Sequence, residues 1–304
     1  NFHDWALDEE HDDPKKPKGH PYAADYPDCL KIVEKNVKPQ RDQVKKKVYR
    51  EKWWQFAERC PGLYEAIAER DRVLFHGFTS KYVCFGFAPT GIVYAGPHVV
   101  VALSDYSDFA NLQSSIHQAW VLDNCSTMKK DVRYAPSDLF ETFPFPFSNK
   151  GFSLESSSPS GLTTNLETIG ETYYNHRQTI MQTRQEGLTK TYNRFHDPAE
   201  TSADIIKLRQ LHVEMDYAVA LAYGWDDLIP PAPLSKGGLD HDFHETKQGL
   251  RYTISETVRR EILDRLLQLN FDRYTEEVAQ GLHEKKKGKS KKKEKKASGQ
   301  GSLF

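Results

Sequence analysis

Cysteine is scarce and scattered. The four in 304 residues, Cys29, Cys60, Cys84 and Cys125, form no CxxC pair. That excludes a zinc ribbon and a disulfide framework from the candidate architectures and leaves buried free thiols as the expectation. Long apolar runs are missing as well. No stretch of about 18 apolar residues exists, and the first residues lack a basic-then-apolar pattern, so neither a membrane span nor a secretory leader is supported and the cytoplasm is the expected location. No internal repeat is present, which removes solenoids and propellers. The first residue is Asn1, and NFHDW over residues 1–5 reads like the middle of an ordered segment, so a preceding domain is expected.

What is present suffices for packed cores: 38% of the residues are hydrophobic and 12% aromatic. The net charge of -1 hides an asymmetry. Residues 285–296 carry nine lysines against one glutamate, so this segment holds +8 and the rest of the chain -9. Near-neutrality therefore says nothing against a nucleic-acid partner, because such binding depends on where charge clusters.

Along the chain, residues 1–50 are polar and rich in Pro and Lys, a connector with a helical stretch at 29–48. Residues 51–70 suggest two short helical pieces broken by Pro61-Gly62. Four short β-branched or aromatic runs follow at 73–78, 82–88, 92–95 and 99–103, read as strands. Ser104-Asp105 offers a cap, and Phe109, Leu112, Ile116, Ala119 and Trp120 recur at helical spacing, which predicts one helix of about four turns. FETFPFPF at 140–147 reads as an extended aromatic strap. Residues 148–160 are the linker candidate. Beyond it the pattern is helical: one helix capped by Asn165, one ending at Gly224 and one opened by Ser255. The lysine-rich end is too charged to pack. The expected fold class is α+β: a mixed module at 51–147, a mainly helical domain at 161–283 and a disordered basic tail at 284–304.

Several strings fall in one order: NFHDW at 1–5, VKPQR at 37–41, WWQFAERCPGLYEAI at 53–67, LQSSIHQAWVLDNCSTMKKDVRYAPSDLFETFPFP at 112–146, GLTKTYNRFHDP at 187–198 and LRQLHVEMDYAVALAYGW at 208–225. Together they resemble the region that follows the catalytic domain in large adenine-specific DNA methyltransferases of the restriction-modification kind, including those fused to an endonuclease. The resemblance implies a target-recognition module at 51–147 and helices that clamp double-stranded DNA. It also implies a separate catalytic domain carrying S-adenosylmethionine and an Asn/Asp-Pro-Pro-aromatic site for an extruded adenine. Neither of that domain's motifs is present. Phe85-Gly86-Phe87 through Gly91 has the wrong spacing for a cofactor loop, and Pro230-Pro231 lies between Ile229 and Ala232. No catalytic, cofactor-binding or metal-binding residue is therefore assigned within the chain.

Sequence readout needs Arg or amide side chains at base edges, set in register by phosphate contacts. Lys129, Lys130, Arg133 and Tyr134, with Ser126 and Thr127, form the densest basic-aromatic cluster in the module. Thr79, Ser80 and Lys81 are expected at a hairpin tip, with Arg72 close in sequence. Arg177, Arg184, Lys190 and Arg194 flank a predicted helix and are candidates to line the duplex, the rival being internal pairing with Glu171, Glu186 or Asp197. His117 and Trp120 are read as structural. The last residues, Gln300, Leu303 and Phe304, resemble peptides that dock on bacterial sliding clamps, with Gly301 where leucine is more usual.

Two rival functions remain open. A stand-alone DNA-binding specificity subunit of a restriction-modification or phage-defence system would need no attached catalytic domain. A metal-dependent nuclease or hydrolase would use His241, Asp242, His244 and Glu245, with His241 and Glu245 on one helical face, or the group His196, Asp197, His212 and Glu214.

Overall fold

The computed structural model describes residues 5–12, 19–57, 60–128, 131–146, 160–229 and 238–282. Four short helices lead: α1 Pro27–Asn36, α2 Lys38–Asp42, α3 Lys47–Glu51 and α4 Pro61–Ile67. Proline starts α1, α2 and α4 within the first two positions, where a missing N–H costs nothing. The leading segment packs around its own small core, Ala23 and Trp54 with Trp5, Leu30 and Val33. Trp54 Nε1 and Gln55 Nε2 both donate to the Trp5 carbonyl, at 3.0 and 2.7 Å. Of the two helical pieces predicted over 51–70 only the second forms, since residues 52–55 turn to place Trp54 inward.

The strands are β1 Arg72–Gly77, β2 Thr79–Ser80, β3 Gly86–Pro89 and β4 His98–Val101, then, after two helices, β5 Ser126–Met128 and β6 Asp131–Arg133. They make two antiparallel sheets, β3-β1-β4 and β2-β6-β5. Phe78 is the joint between them: its N–H donates to Pro97 O and its carbonyl accepts from Tyr134 N–H, at 2.9 and 2.8 Å. Two predicted strands change. Residues 92–95 are not a strand, because Tyr94 N–H is taken by the Tyr64 hydroxyl. Residues 82–85 carry no ladder either; Phe85 N–H bonds instead to the Gln113 side chain at 3.0 Å.

The single helix predicted after Asp105 is two, α5 Tyr106–Gln113 and α6 Ser115–Asn124. Ser114 is extended, and its hydroxyl accepts from His117 N–H and donates to Asn111 O, capping one helix as it closes the other. After α7 Pro136–Leu139 the aromatic strap runs non-helically through residue 146, with Phe143 against His117.

The remaining elements are α8 Ser160–Arg184, α9 Leu188–Phe195, α10 Ala203–Ala222, β7 Asp242–Thr246, β8 Gly249–Thr253 and α11 Glu256–Ala279. The hairpin β7-β8 is an addition to the mainly helical domain expected over 161–283. Two starts and stops are as read: α10 ends just before Gly224, and the Ser255 hydroxyl accepts from Val258 N–H to open α11. Asn165, in contrast, lies inside α8 and does not begin it. Gly170 is required where α8 crosses α5, since a Cβ there would lie 2.2 Å from the Tyr106 carbonyl oxygen. At the same crossing Glu167 accepts the Ser107 N–H at 2.7 Å, serving the start of a helix that its own Asp105 side chain does not cap.

One hydrophobic core runs from Leu74 and Phe85 through Phe109, Leu112 and Ile116 to Tyr173, Leu211, Met215 and Ile262. The fold is α+β, mostly helical with small antiparallel sheets. Among the described residues no helix is long and apolar enough to cross a membrane. All four cysteines are free, but only Cys84 is buried; Cys29 and Cys60 are exposed, contrary to the expectation of buried thiols.

Candidate nucleic-acid interface

The second sheet gathers several of the sequence candidates. Thr79 pairs with Arg133 and Arg133 with Ser126, so the three side chains stand in one row across β2, β6 and β5, and all three are exposed. Thr127 lies opposite buried Val132 and is exposed at the outer edge. The Arg133 guanidinium rests 5.1 Å from the Phe78 ring centroid, which holds it while leaving its donors outward. Thr79 and Ser80 are thus strand residues of this sheet and not a hairpin tip. Ser80 turns its hydroxyl to Tyr82 O at 2.8 Å. Lys129 and Lys130 lie outside the described residues.

Lys81 continues the surface. Its Nζ donates to Asn193 Oδ1 on α9 at 2.7 Å, and the Tyr82 hydroxyl donates to the same oxygen at 2.8 Å. The Tyr82 ring has Lys81 Nζ at 5.0 Å and the Arg251 guanidinium of β8 at 5.1 Å. Lys190, three residues from Asn193 on α9, is also exposed. None of Lys81, Arg133, Lys190 and Arg251 has a carboxylate partner among the described residues, so their charge is available to a ligand. Asn193 and Arg251 were missed by the sequence reading. The alternating pattern of 249–253 after Lys247-Gln248 was the available signal.

Other candidates are placed elsewhere. Tyr134 is fully buried, and its hydroxyl donates to His117 Nε2 at 3.1 Å while His117 Nδ1 donates to Leu112 O at 2.8 Å. Burial pushes His117 down to about 3, so the ring is neutral and the tautomer is fixed by these two partners. His117 and Trp120 are buried, as read. Arg72 begins β1, at the end of the strand away from Thr79–Ser80 and Lys81. It donates to Ser104 O at 2.9 Å and sits between the Phe87 and Tyr106 rings.

Arg177 is fully buried, which corrects its assignment to the duplex surface. It donates to Phe85 O at 2.7 Å, Tyr192 Oη at 3.1 Å and Gln113 Oε1 at 3.2 Å, with the Phe109 and Tyr174 rings beside it. It joins the module to the helices from inside. Arg184 is spent on Asp204 and Ser202, and Arg194 on Glu186 and Glu200. Hydrogen bonds from Ser202 and Arg194 hold Glu200 down to about 2. For these two arginines the rival reading, internal pairing, is the one observed, although of the expected partners only Glu186 takes part and Asp204 and Glu200 are the others.

The histidine-acid groups also resolve. His241 to Thr246 is no helix; it leads into β7, so His241 and Glu245 share no helical face. Asp216 is the centre instead. It accepts from His241 Nε2 at 2.7 Å and Ser115 N–H at 2.8 Å, with His212 Nε2 at 3.5 Å and the Ser115 hydroxyl 3.0 Å from that same nitrogen. Although burial alone raises it, the two imidazoles hold the Asp216 carboxyl below the usual range. A nucleophile relay needs serine and carboxylate on opposite ring nitrogens, whereas here both meet Nε2. This buried set fastens α6, α10 and the approach to β7. His196 is used up likewise, its Nδ1 accepting Tyr252 N–H at 3.1 Å. Among the described residues no group of three or more His, Cys, Asp or Glu is arranged to hold a metal.

Nor does the segment 85–91 fit S-adenosylmethionine: Gly86–Pro89 is strand β3 paired to β1, and Phe87 is packed on Tyr106 and Tyr174. Gln300, Leu303 and Phe304 lie outside the described residues.

Residues 28–147 match the family described as MmeI, target recognition domain. Among solved structures, the fold matches one described as the Type IIL restriction-modification enzyme MmeI in complex with DNA, with a TM-score of 0.52 and 15% sequence identity. The match covers 84% of this chain and 28% of that one, so the chain spans under a third of that enzyme's length. No curated protein matches. The interval 28–147 contains both small sheets, and over it the chain matches the target recognition domain of the MmeI kind of restriction-modification enzyme, the sort of protein that its sequence strings resemble.

Proposed function

We propose that this chain reads a DNA sequence and closes on the duplex as the recognition part of a site-specific, S-adenosylmethionine-dependent adenine methyltransferase of restriction-modification type. The observation that carries the reading is a coincidence of place: the residues matching a target recognition domain present the exposed row Thr79, Arg133 and Ser126, in which Arg133 has no carboxylate partner among the described residues. Arg133 is the base reader, suited to a bidentate contact with guanine in the major groove. Thr79, Ser126 and Thr127 take phosphates beside it, and Lys81 with Lys190 extends the contact toward the helices. The cofactor and the base-flipping site belong to a catalytic domain whose motifs these residues lack. The lysine-rich segment 285–296 adds sequence-independent, salt-dependent attraction.

The test is selection of duplexes from a randomised pool by the purified chain at roughly physiological salt, repeated without residues 285–304. Enrichment of one short motif that survives loss of the tail, and that relaxes at one position in Arg133→Ala, is the expected result. Binding that disappears with the tail, or that enriches no motif, counts against it.

A further inference from the structure

The hairpin β7-β8 stands apart from both sheets; its two strands pair only with each other. One face is anchored. Phe243 and Tyr252 touch at 5.3 Å, Tyr252 meets Phe195 edge-on, and the Arg209 guanidinium lies 4.9 Å from the Phe243 ring. The opposite face, His244 paired with Arg251 and Thr246 with Gly249, forms one wall of a cleft of about 340 Å3 whose other wall is α6, at Gln118 and Leu122. At the tip, Lys247 is exposed and Gln248 half-buried, and Gly249 at φ 98° closes the two-residue turn.

Neither Lys247 nor Arg251 has a carboxylate partner among the described residues, whereas Arg184, Arg194, Arg259 and Arg265 in the surrounding helices all do. Two of the cleft's acids are already engaged, Glu256 by Arg259 and Arg260 and Asp123 by Arg259 at 3.7 Å. Glu245 has no such partner among the described residues. Arg251 lies over Tyr82, next to Lys81, so the unpaired cations continue from Arg133 on the second sheet to Lys247 at the ribbon tip. A two-stranded ribbon is also of a width that the major groove admits.

We infer that β7-β8 is a second DNA contact, gripping the sugar-phosphate backbone through Lys247, Gln248 and Arg251 on the duplex that the Arg133 row reads. The inference rests on the reading above for its ligand. It adds an element outside the matched recognition domain and gives it a sequence-independent role.

The experiment measures affinity of the full chain against salt, on the selected duplex and on a scrambled one, for wild type, Lys247→Ala, Lys247→Ala with Arg251→Gln, and Glu245→Gln. Thermal melting of each checks the fold. The logarithmic salt slope is expected to fall by about 1 for the single and about 2 for the double variant, equally on both duplexes, with the selected motif unchanged. Glu245→Gln is expected to tighten binding to both, a gain that misfolding does not imitate. Unchanged slopes in variants that melt like wild type overturn the inference, and so does a changed motif, which would make the ribbon a base reader. If the wild type selects no motif, the recognition reading fails, while the slopes on the scrambled duplex still decide the ribbon.

Discussion

The sheet β2-β6-β5 carries Arg133 beside an aromatic ring and the helical turn α8-α9 carries Arg184 and Arg194 near Tyr192 and Phe195, and in sequence the two clusters look alike. In the fold they differ in what lies within reach. Arg133 has a ring below it and no carboxylate partner among the described residues, and it is exposed. Arg184 and Arg194 meet Asp204, Glu186 and Glu200, which come from the next helix and from connecting turns. Arg177, one to two turns of α8 before Arg184, is sealed among tyrosines and a backbone carbonyl. A basic cluster is a binding surface only where folding leaves it unsatisfied.

The strongest way to break this contrast is Arg177→Met, which leaves Phe85 O and Tyr192 Oη without their donor in the interior. A loss of about 3 kcal/mol or more is expected in denaturant unfolding, with reduced DNA binding following only from unfolding. Gly170→Ala comes next, because its methyl group meets the Tyr106 carbonyl; about 1–3 kcal/mol is expected, read as a lower melting temperature. Arg133→Ala is the counterpart on the surface. It is expected to melt as wild type and to lose about 1–3 kcal/mol of affinity for the selected site, while Arg194→Ala leaves both affinity and motif unchanged. A result in which Arg194→Ala relaxes the motif and Arg133→Ala does not would reverse the assignment.

The smallest effect is in pH. His76 and His117 are buried and lowered to about 4 and about 3, and burial lowers His196 and His212 too. The unfolded chain binds protons at these groups below about 6.5 while the folded chain does not, so stability falls as pH drops from about 6.5 toward 4. Asp108 opposes this. Burial, with Asp105 and Glu167 nearby, raises it to about 7, so its contribution is fullest below the unfolded value of 3.8 and is lost as pH rises toward 7. Asp108→Asn is therefore expected to steepen the rise of unfolding free energy between pH 4 and 6.5, and an unchanged profile would contradict its burial.

Much of the fold was legible because local signals are strong where the chain repeats a period. The core positions of α10 and α11, the stop at Gly224 and the cap at Ser255 all follow from 3.6-residue spacing and end chemistry. Short strands were less so. Residues 92–95 have strand composition, yet Tyr94 spends its N–H on Tyr64, a partner 30 residues away. The strands at 242–253 are not legible in the sequence, because a two-stranded ribbon half-buried on both strands shows only weak alternation. Of the residues named for the candidate interface, Thr79, Lys81, Ser126, Thr127, Arg133 and Lys190 are exposed, whereas Tyr134 and Arg177 are interior.

The sequence by itself determined the α+β class, most of the long helices and the family resemblance, since composition, periodicity and motif strings are properties of adjacent residues. Only the tertiary structure decided which cations are free. A carboxylate such as Glu200 or a carbonyl such as Phe85 O reaches its arginine through space, and long-range pairing leaves no trace in local spacing.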